Sequence, residues 1–388
     1  MAADQLPSPQ GVADQVGDVR SLYDGALPPE IQVHTLRHVD RLFPTRTVAS
    51  GPQPWPLEAS LRPWPDIRFT SAGRACKLGD YLALNRASGL IVIQDGRVRL
   101  EHYGLGGTAH DRWTSMSMAK SISTTLVGAA LHDGLVRSLD ETVTRYVPQL
   151  RGTAYDDVSL RHLVTMTSGV RWCETYADPQ SDRRRMLDAQ IRQQPGAILA
   201  LMGRLPRAHA PGTRFNYSTG ETHVVGAVLR QAVGAPVAHY LSQRIWAPFG
   251  MEADATWWLE SPDGLEVAGS GLSARLRDFA RFGLFMLAGG VAAGRQVLPD
   301  DWVAAATRDQ LPPGHDLPYG YMWWPMPATA GLEHHGAFRA IGIFGQQLYI
   351  HPRDRLVIAQ FSALPHATGS WSVPPEDLYG AIVGALHE

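Results

Sequence analysis

The stretch WTSMSMAKSIS, residues 113–123, places a serine and a lysine three positions apart, at Ser117 and Lys120. The chain has 35 lysine and arginine residues, and only two of them, Lys77 and Lys120, are lysines. Arginine does not lose its proton in a protein, whereas the pKa of a desolvated lysine falls far enough for it to act as a base. The use of lysine at position 120 therefore indicates that a neutral amine is needed there.

A serine and a lysine at this spacing could form an activated nucleophile. In a helix, positions i and i+3 lie on one face, so the amine of Lys120 would take the hydroxyl proton of Ser117 as its oxygen attacks an acyl carbon. Free amides at the first helical turn would favour the negative charge that develops. A chance pairing with a solvated or ion-paired Lys120 remains open, because S-x-x-K is a short motif.

A second proton carrier is needed to protonate the leaving group, and Tyr217 is the candidate. It lies in PGTRFNYSTGE, residues 211–221, a loop flanked by proline and glycine that precedes an apolar helix. A nearby cation is expected to lower the tyrosine pKa from its usual ~10. A purely structural tyrosine with a packed ring is the alternative.

The elements that must position these residues begin with strands. GLIVIQDGRVRLEHYG, from Gly89, predicts a β-hairpin that turns at Asp95 and Gly96. Residues 345–363 predict two more strands around the turn Pro352-Arg353-Asp354, and PPEDLYGAIVGALHE predicts a closing helix that opens with proline.

The middle of the chain is predicted to be mostly helical. Residues 117–133 form one predicted helix, with Ile122, Leu126 and Ala130 on one stripe and Gly134 as its stop. Further helices are predicted at 159–170, 197–205 and 222–234. Strands at both ends of a helical middle indicate an α+β fold with an inserted helical region. We expect a discontinuous sheet domain of residues 1–125 plus 265–388, with an amino-terminal arm at 1–80, a helical region at 126–264, and the active site between them.

Composition limits the possible partners. Hydrophobic residues make up 44% and charged residues 19% of the 388 positions, and the net charge is −2. This balance gives no general reason to bind nucleic acid or acidic membranes, so a small molecule is the expected partner. No apolar stretch approaches the ~18 residues of a membrane span, and the amino terminus lacks a secretory pattern, which predicts a cytoplasmic protein.

Metal and disulfide chemistry are not indicated. Cys76 and Cys173 are too few for a zinc cluster or a disulfide framework, and we expect buried or free thiols. His34 and His38 have metal-ligand spacing, but the glutamate of HExxH is missing and a surface pair is the favoured interpretation. No cofactor is expected.

Several stretches together resemble one family. They are LFPTRTVAS, SMAKS, GLVRSLDETVTRYVPQL, LRHLVTMTSGV, FNYST, GSGLSARLRDFARFGLFMLAGG and IGIFGQQLYIHP. In order and separation they are similar to the serine β-lactamase and penicillin-binding superfamily, and most to 6-aminohexanoate-dimer hydrolases and related esterases. The resemblance implies an antiparallel sheet flanked by helices. It also implies that Ser117 is the nucleophile, Lys120 its base and Tyr217 the general acid/base.

The resemblance implies further site residues. The backbone amides of Ser117 and Ile343 would form the oxyanion hole, and Gly342, Tyr176 and Thr219 would contact the substrate. Tyr176, in ETYADP, would contact the leaving-group side of the substrate. Thr219 stands where β-lactamases have asparagine, so a polar contact changes but a hydroxyl remains.

The third motif of the superfamily departs from its usual form. Many relatives have K-T-G or H-T-G at this position, which begins with a lysine or histidine cation. This chain has Ala340-Ile341-Gly342, so the cation is replaced by an alanine. Its loss argues against β-lactams and D-alanyl peptides, whose carboxylate that cation helps to hold. Arg339 or His335 could substitute, or could belong to a polar loop.

We expect a serine hydrolase that cleaves amides of the 6-aminohexanoate-oligomer type, or small carboxylic esters, through an acyl-enzyme. The α/β-hydrolase motif G-x-S-x-G and phosphate-binding loops are absent from the sequence. The alternatives are a β-lactamase or D-stereospecific aminopeptidase, and a non-catalytic binding protein of the same fold. Trp323 and Trp324 could line a substrate cleft or pack in the core. A homodimer is a further option.

Overall fold

The computed structural model describes residues 15–60 and 66–387. The helices are α1 Val19–Asp24, α2 Pro29–Arg37, α3 Leu78–Leu84, α4 Met118–His132, α5 Val143–Tyr146, α6 Leu160–Val164, α7 Asp182–Ile191, α8 Ala197–Gly203, α9 Thr219–Val233, α10 Val237–Leu241, α11 Leu276–Leu287, α12 Trp302–Ala306 and α13 Pro375–Leu386. The strands are β1 Thr45–Val48, β2 Arg68–Ser71, β3 Arg74–Lys77, β4 Ala87–Gln94, β5 Arg97–Tyr103, β6 Arg112–Thr114, β7 Ala255–Trp258, β8 Leu272–Arg275, β9 Val291–Ala292, β10 Arg295–Gln296, β11 Trp324–Pro325, β12 Phe338–Gly342, β13 Gln346–His351 and β14 Leu356–Ser362.

A six-stranded antiparallel sheet joins the two ends of the chain. Its strand order is β11-β12-β13-β14-β4-β5, so the amino-terminal hairpin β4-β5 pairs with the carboxy-terminal strand β14. The hairpin turns at Asp95 and Gly96, whose φ values of 50° and 74° suit a type I′ turn. The predicted hairpin and the α+β class are both confirmed.

Both faces of this sheet are covered, which explains the unbroken apolar run in β4. Leu90 and Val92 pack in a cluster with Leu378 and Ile382 of α13. Ile91 and Ile93, on the opposite face, belong to the main core of the protein. A strand that is buried on both sides loses the alternation of apolar and polar residues.

The central helix α4 confirms the prediction for residues 117–133. Thirteen of its fifteen residues are buried, so the predicted apolar stripe is only part of a helix enclosed on nearly all sides. The helix packs on α9 and on β12, the strand that borders the site. It ends just before Gly134, whose φ of 70° suits a helix stop.

The predicted helix at 159–170 is too long. Helix α6 ends at Val164, and Met166 has a left-handed φ of 54° that ends helical geometry. The carbonyl of Met166 accepts a hydrogen bond of 2.9 Å from the amide of Asn216, beside Tyr217. The residues after α6 thus support the tyrosine loop.

Helix α9 begins earlier than the predicted 222. Ser218 precedes its first residue, Thr219, and its hydroxyl accepts from the amide of Glu221 at 3.1 Å. A serine cap of this kind sets the start of a helix one residue after the cap. Tyr217 therefore stands directly before a capped helix.

Candidate active site

The backbone around Ser117 is tightly constrained. Met116 is buried and has a φ of 44°, a left-handed conformation that costs a non-glycine residue roughly 1–2 kcal/mol. The end of β12 presses against this bend, because a Cβ at Gly342 would lie 2.4 Å from the carbonyl oxygen of Ser115. Glycine at position 342 therefore lets the strand end approach the predicted nucleophile.

Ser117 and Lys120 are hydrogen bonded, as their spacing predicted. The Lys120 Nζ lies 2.8 Å from the Ser117 Oγ and 3.0 Å from the carbonyl oxygen of Gly269. Burial of the amine lowers the pKa of Lys120 to about 7, although the Glu174 carboxylate raises it. The Arg183 guanidinium also lowers this pKa. Near neutral pH the amine is therefore uncharged in a large share of molecules.

Tyr217 lies beside the same pair. The Lys120 Nζ is 5.0 Å from the centre of its ring. Burial, and then Glu174, raise the pKa of Tyr217, whereas the nearby Ser117 hydroxyl and the Arg183 guanidinium lower it. A nearby cation, Arg183, does lower this pKa as expected, but desolvation of the phenolate outweighs it and the net shift is upward. Tyr217 keeps its proton at ordinary pH and is available as a donor.

A cavity of about 710 Å³ opens in front of Ser117. Tyr217, Tyr176, Gly342 and Ile343 line it, so most of the predicted site residues come together. Thr219 is buried instead, and its amide and hydroxyl both donate to Glu174. It is not one of the described residues that line the cavity.

The two tryptophans have different environments. Trp324 lines the cavity with its ring 5.8 Å from that of Tyr217, centre to centre. Trp323 is fully buried and packs edge-on against Phe338 at 5.3 Å. One ring is therefore in the cleft and the other in the core.

Neither proposed replacement for the missing cation reaches the cavity. Arg339 forms an ion pair with Glu376 of α13, and His335 is exposed. Within the described ranges, no lysine or arginine lines the cavity, whereas Asp24 and Glu174 both do. The walls of the cavity are thus mostly apolar with two carboxylates.

Sequence reasoning missed three residues that surround the site. Glu174 lies two positions before Tyr176 in ETYADP and carried no motif of its own. Arg183 begins a run of three arginines, which is typical of a solvated surface, yet it is buried. Tyr23 of α1 packs over the Arg183 guanidinium, 4.8 Å from ring centre to Cζ. Long-range packing of the amino-terminal arm has no local sequence signal.

Other predicted features can be placed as well. His34 and His38 lie with their ring centres 4.3 Å apart, and residues 15–60 and 66–387 contain no group of three His, Cys, Asp or Glu side chains that could hold a metal ion. Cys76 and Cys173 are free thiols, as expected. Within the same ranges no helix is long and apolar enough to cross a membrane.

Comparison with known proteins identifies the family. The beta-lactamase family profile matches residues 83–374, about three quarters of the chain. The chain belongs to the beta-lactamase family. It is 30% identical over 343 residues to the 6-aminohexanoate-dimer hydrolase of Paenarthrobacter ureafaciens, an alignment that covers 84% of this chain and 83% of that one. Esterase EstB of Burkholderia gladioli is 26% identical over 266 residues, covering 55% and 67% respectively.

The fold of the beta-lactamase family is also evident from solved structures. A Bacillus anthracis protein assigned as a 6-aminohexanoate-dimer hydrolase superposes with a TM-score of 0.82 at 24% identity, covering 99% of both chains. A family VIII carboxylesterase superposes with a TM-score of 0.59 at 16% identity, over 76% of this chain and 90% of that one. The predicted fold class is confirmed, and the chain is a serine hydrolase superfamily member with amidase and esterase relatives.

Proposed function

We propose that this protein hydrolyses amides of the 6-aminohexanoate-oligomer type, or small carboxylic esters, through an acyl-enzyme on Ser117. The observation that carries the proposal is the buried contact of 2.8 Å between the Lys120 Nζ and the Ser117 Oγ. A lysine with a pKa of about 7 is a base that can accept the serine proton near neutral pH. A binding protein of the same fold would have no use for this contact.

The proposed reaction has two halves. Lys120 takes the hydroxyl proton as the Ser117 Oγ attacks the acyl carbon, and the amides of Ser117 and Ile343 stabilise the oxyanion. Tyr217, which lies beside Lys120 and lines the same cavity as Ser117, passes a proton to the departing amine or alcohol. In the second half, water gives its proton to Tyr217 as its oxygen attacks the acyl carbon, and Lys120 returns its proton to the Ser117 Oγ as the acid departs.

The charge of the cavity supports the substrate class. The described lining residues include two carboxylates and no lysine or arginine, so the cavity offers no lysine or arginine side chain to pair with a substrate carboxylate. A β-lactam or D-alanyl peptide carries such a carboxylate next to the scissile bond. The relatives named as an amide hydrolase and an esterase favour a linear amide or ester. A cytoplasmic location and a homodimer remain predictions.

A comparison of three substrates tests this proposal. The linear 6-aminohexanoate dimer, a p-nitrophenyl butyrate ester and a chromogenic cephalosporin would be assayed with the same enzyme preparation. We expect turnover of the dimer or the ester, with the cephalosporin slower by roughly 10²-fold or more. A cephalosporin hydrolysed faster than both would establish a β-lactamase instead, and no turnover of any of them would favour a binding protein.

A further inference from the structure

Glu174 is a carboxylate in the cavity wall to which four donors point. Its Oε2 accepts from the Trp172 Nε1 at 2.5 Å and from the Thr219 amide at 2.9 Å. Its Oε1 accepts from the Tyr176 hydroxyl at 3.0 Å and from the Thr219 hydroxyl. The Arg183 Nε lies 4.0 Å from the same oxygen. Both oxygens act only as acceptors, which is the pattern of an ionised carboxylate.

These contacts connect the two segments that flank the nucleophile. Tyr176 lies on the cavity loop, whereas Thr219 is the first residue of α9, two positions after Tyr217. A carboxylate that accepts from both fixes the loop against the start of the helix. The Asn216 Nδ2, which donates to the Trp172 carbonyl at 3.2 Å, joins the same two segments, so Glu174 shares this role with a neutral hydrogen bond.

Glu174 also acts on the base through charge. Among residues 15–60 and 66–387, Tyr23, Tyr176, Tyr217 and Tyr319 interact electrostatically with Lys120, Glu174 or Arg183. Burial raises the pKa of Tyr176, Tyr217 and Tyr319, so these phenols stay neutral. Glu174 and Arg183 are left as the opposed charges that act on Lys120.

On the basis of the proposed function, we propose that Glu174 is a positioning residue for the reaction. Its carboxylate fixes Tyr176 against the start of α9 and stabilises the ammonium that Lys120 becomes on accepting the serine proton. An ammonium formed in a buried site is costly unless a negative charge lies near it. Glu174 supplies that charge without touching the reacting atoms.

The test follows the pH dependence of Ser117 acylation in Glu174→Gln. The amide has nearly the same shape but lacks the charge, so Lys120 should remain neutral to lower pH. Its NH2 group also faces donors where a carboxylate oxygen stood, which should lower the plateau rate. We expect the acidic limb of kcat/KM for a p-nitrophenyl ester to move down by roughly one pH unit, with a lower plateau rate. The rate at which a fluorophosphonate labels Ser117 should show the same shift, because it reports nucleophile activation without turnover.

Two further variants separate charge from geometry. Glu174→Asp keeps the charge but has a side chain shorter by one methylene. The plateau of kcat/KM should therefore fall, while the acidic limb of its pH profile stays in place. Asp24→Asn removes a carboxylate from the same cavity that pairs with Arg184, and its limb should also stay in place. If Glu174→Gln fails to fold, Glu174→Asp provides the test. A displaced acidic limb in the pH profile of Glu174→Asp would overturn the claim that the charge of Glu174 acts on Lys120.

The remaining outcomes are distinct. A Glu174→Gln limb that coincides with that of the wild type would overturn this inference and leave the proposed function intact. A wild-type protein that reacts at Ser117 with neither the ester nor the fluorophosphonate would overturn the proposed function, and this inference with it.

Discussion

At the scale of single residues, burial decides the chemistry of this site. Lys120 is 1% exposed, and removal of its amine from water favours the neutral form. The same burial has the opposite effect on Tyr217, whose phenol keeps its proton. Near neutral pH the site thus holds both an amine that can be neutral and a phenol that keeps its proton.

The pH dependence of activity should follow the loss of the proton from the Lys120 amine. If the neutral amine is the active form, as proposed, its pKa of about 7 means that kcat/KM should rise through pH 7 and level off above it. A pH series from 5.5 to 9 with a neutral ester would measure this. A rate that falls with rising pH across that range would exclude Lys120 as the base.

Replacement of Lys120 by arginine tests the need for a neutral amine. Lys120→Arg keeps a cation but cannot lose its proton, so kcat should fall by roughly 10²–10⁴. The control is Lys77→Arg, because Lys77 is exposed at the end of β3 and far along the chain from the site. Near-normal turnover in Lys120→Arg would contradict the proposed role.

Tyr217→Phe should affect amides more than activated esters. An amine leaves only after it gains a proton, whereas p-nitrophenolate departs as an anion. We expect acylation by the amide to slow by roughly 10²-fold or more, and acylation by the ester to slow much less. Stopped-flow measurement of the acylation phase distinguishes the two, and equal losses would remove Tyr217 from the protonation of the leaving group.

At the scale of elements, the site depends on the close approach of β12 to the bend before α4. Gly342→Ala would place a Cβ 2.4 Å from the Ser115 carbonyl oxygen, so the strand or the bend must move. We expect a loss of about 1–3 kcal/mol in the free energy of unfolding and a larger loss in kcat. Denaturant melts and ester assays would measure both.

A matched glycine serves as the control. Gly384 lies in α13, where an added Cβ would meet no atom of another described segment within 4 Å. Gly384→Ala should therefore leave activity unchanged and raise stability by up to about 1 kcal/mol. If Gly342→Ala behaved in the same way, close packing of β12 against the bend would not be what shapes the site.

Prediction from sequence succeeded where the signal was local. The hairpin at Asp95 and the helix that carries Lys120 follow from residue types a few positions apart. The early end of α6 could not be predicted in this way, because Met166 adopts a left-handed φ. Its carbonyl accepts a hydrogen bond from the amide of Asn216, 50 positions away. Glu174 was missed for the same reason, since its role depends on partners in α9 and α7.

At the scale of the whole molecule, the division into two domains remains a proposal. One core cluster includes Val33 of the arm, Leu126 of α4, Val228 of α9 and Ile350 of β13. Strand β7, within the proposed helical region at 126–264, pairs with β8 of the proposed sheet domain. Shared packing of this kind favours a single folding unit.

Cooperative unfolding would follow from this shared core. In urea, tryptophan fluorescence and far-UV circular dichroism should give coincident transitions, because a loss of either region exposes the packing surface of the other. The 11 tryptophans give a strong fluorescence signal. Two separate transitions would show that the sheet and helical regions fold independently.

The most direct measurement compares p-nitrophenyl ester hydrolysis by the wild type, Ser117→Ala and Ser121→Ala. Ser121 lies one turn further along α4 and donates to the Met322 carbonyl at 2.6 Å, so its variant controls for loss of a buried hydroxyl. We predict that Ser117→Ala loses activity by a factor of roughly 10³ or more, while Ser121→Ala stays active. Activity that survives in a folded Ser117→Ala variant would place the nucleophile elsewhere and contradict the proposed function.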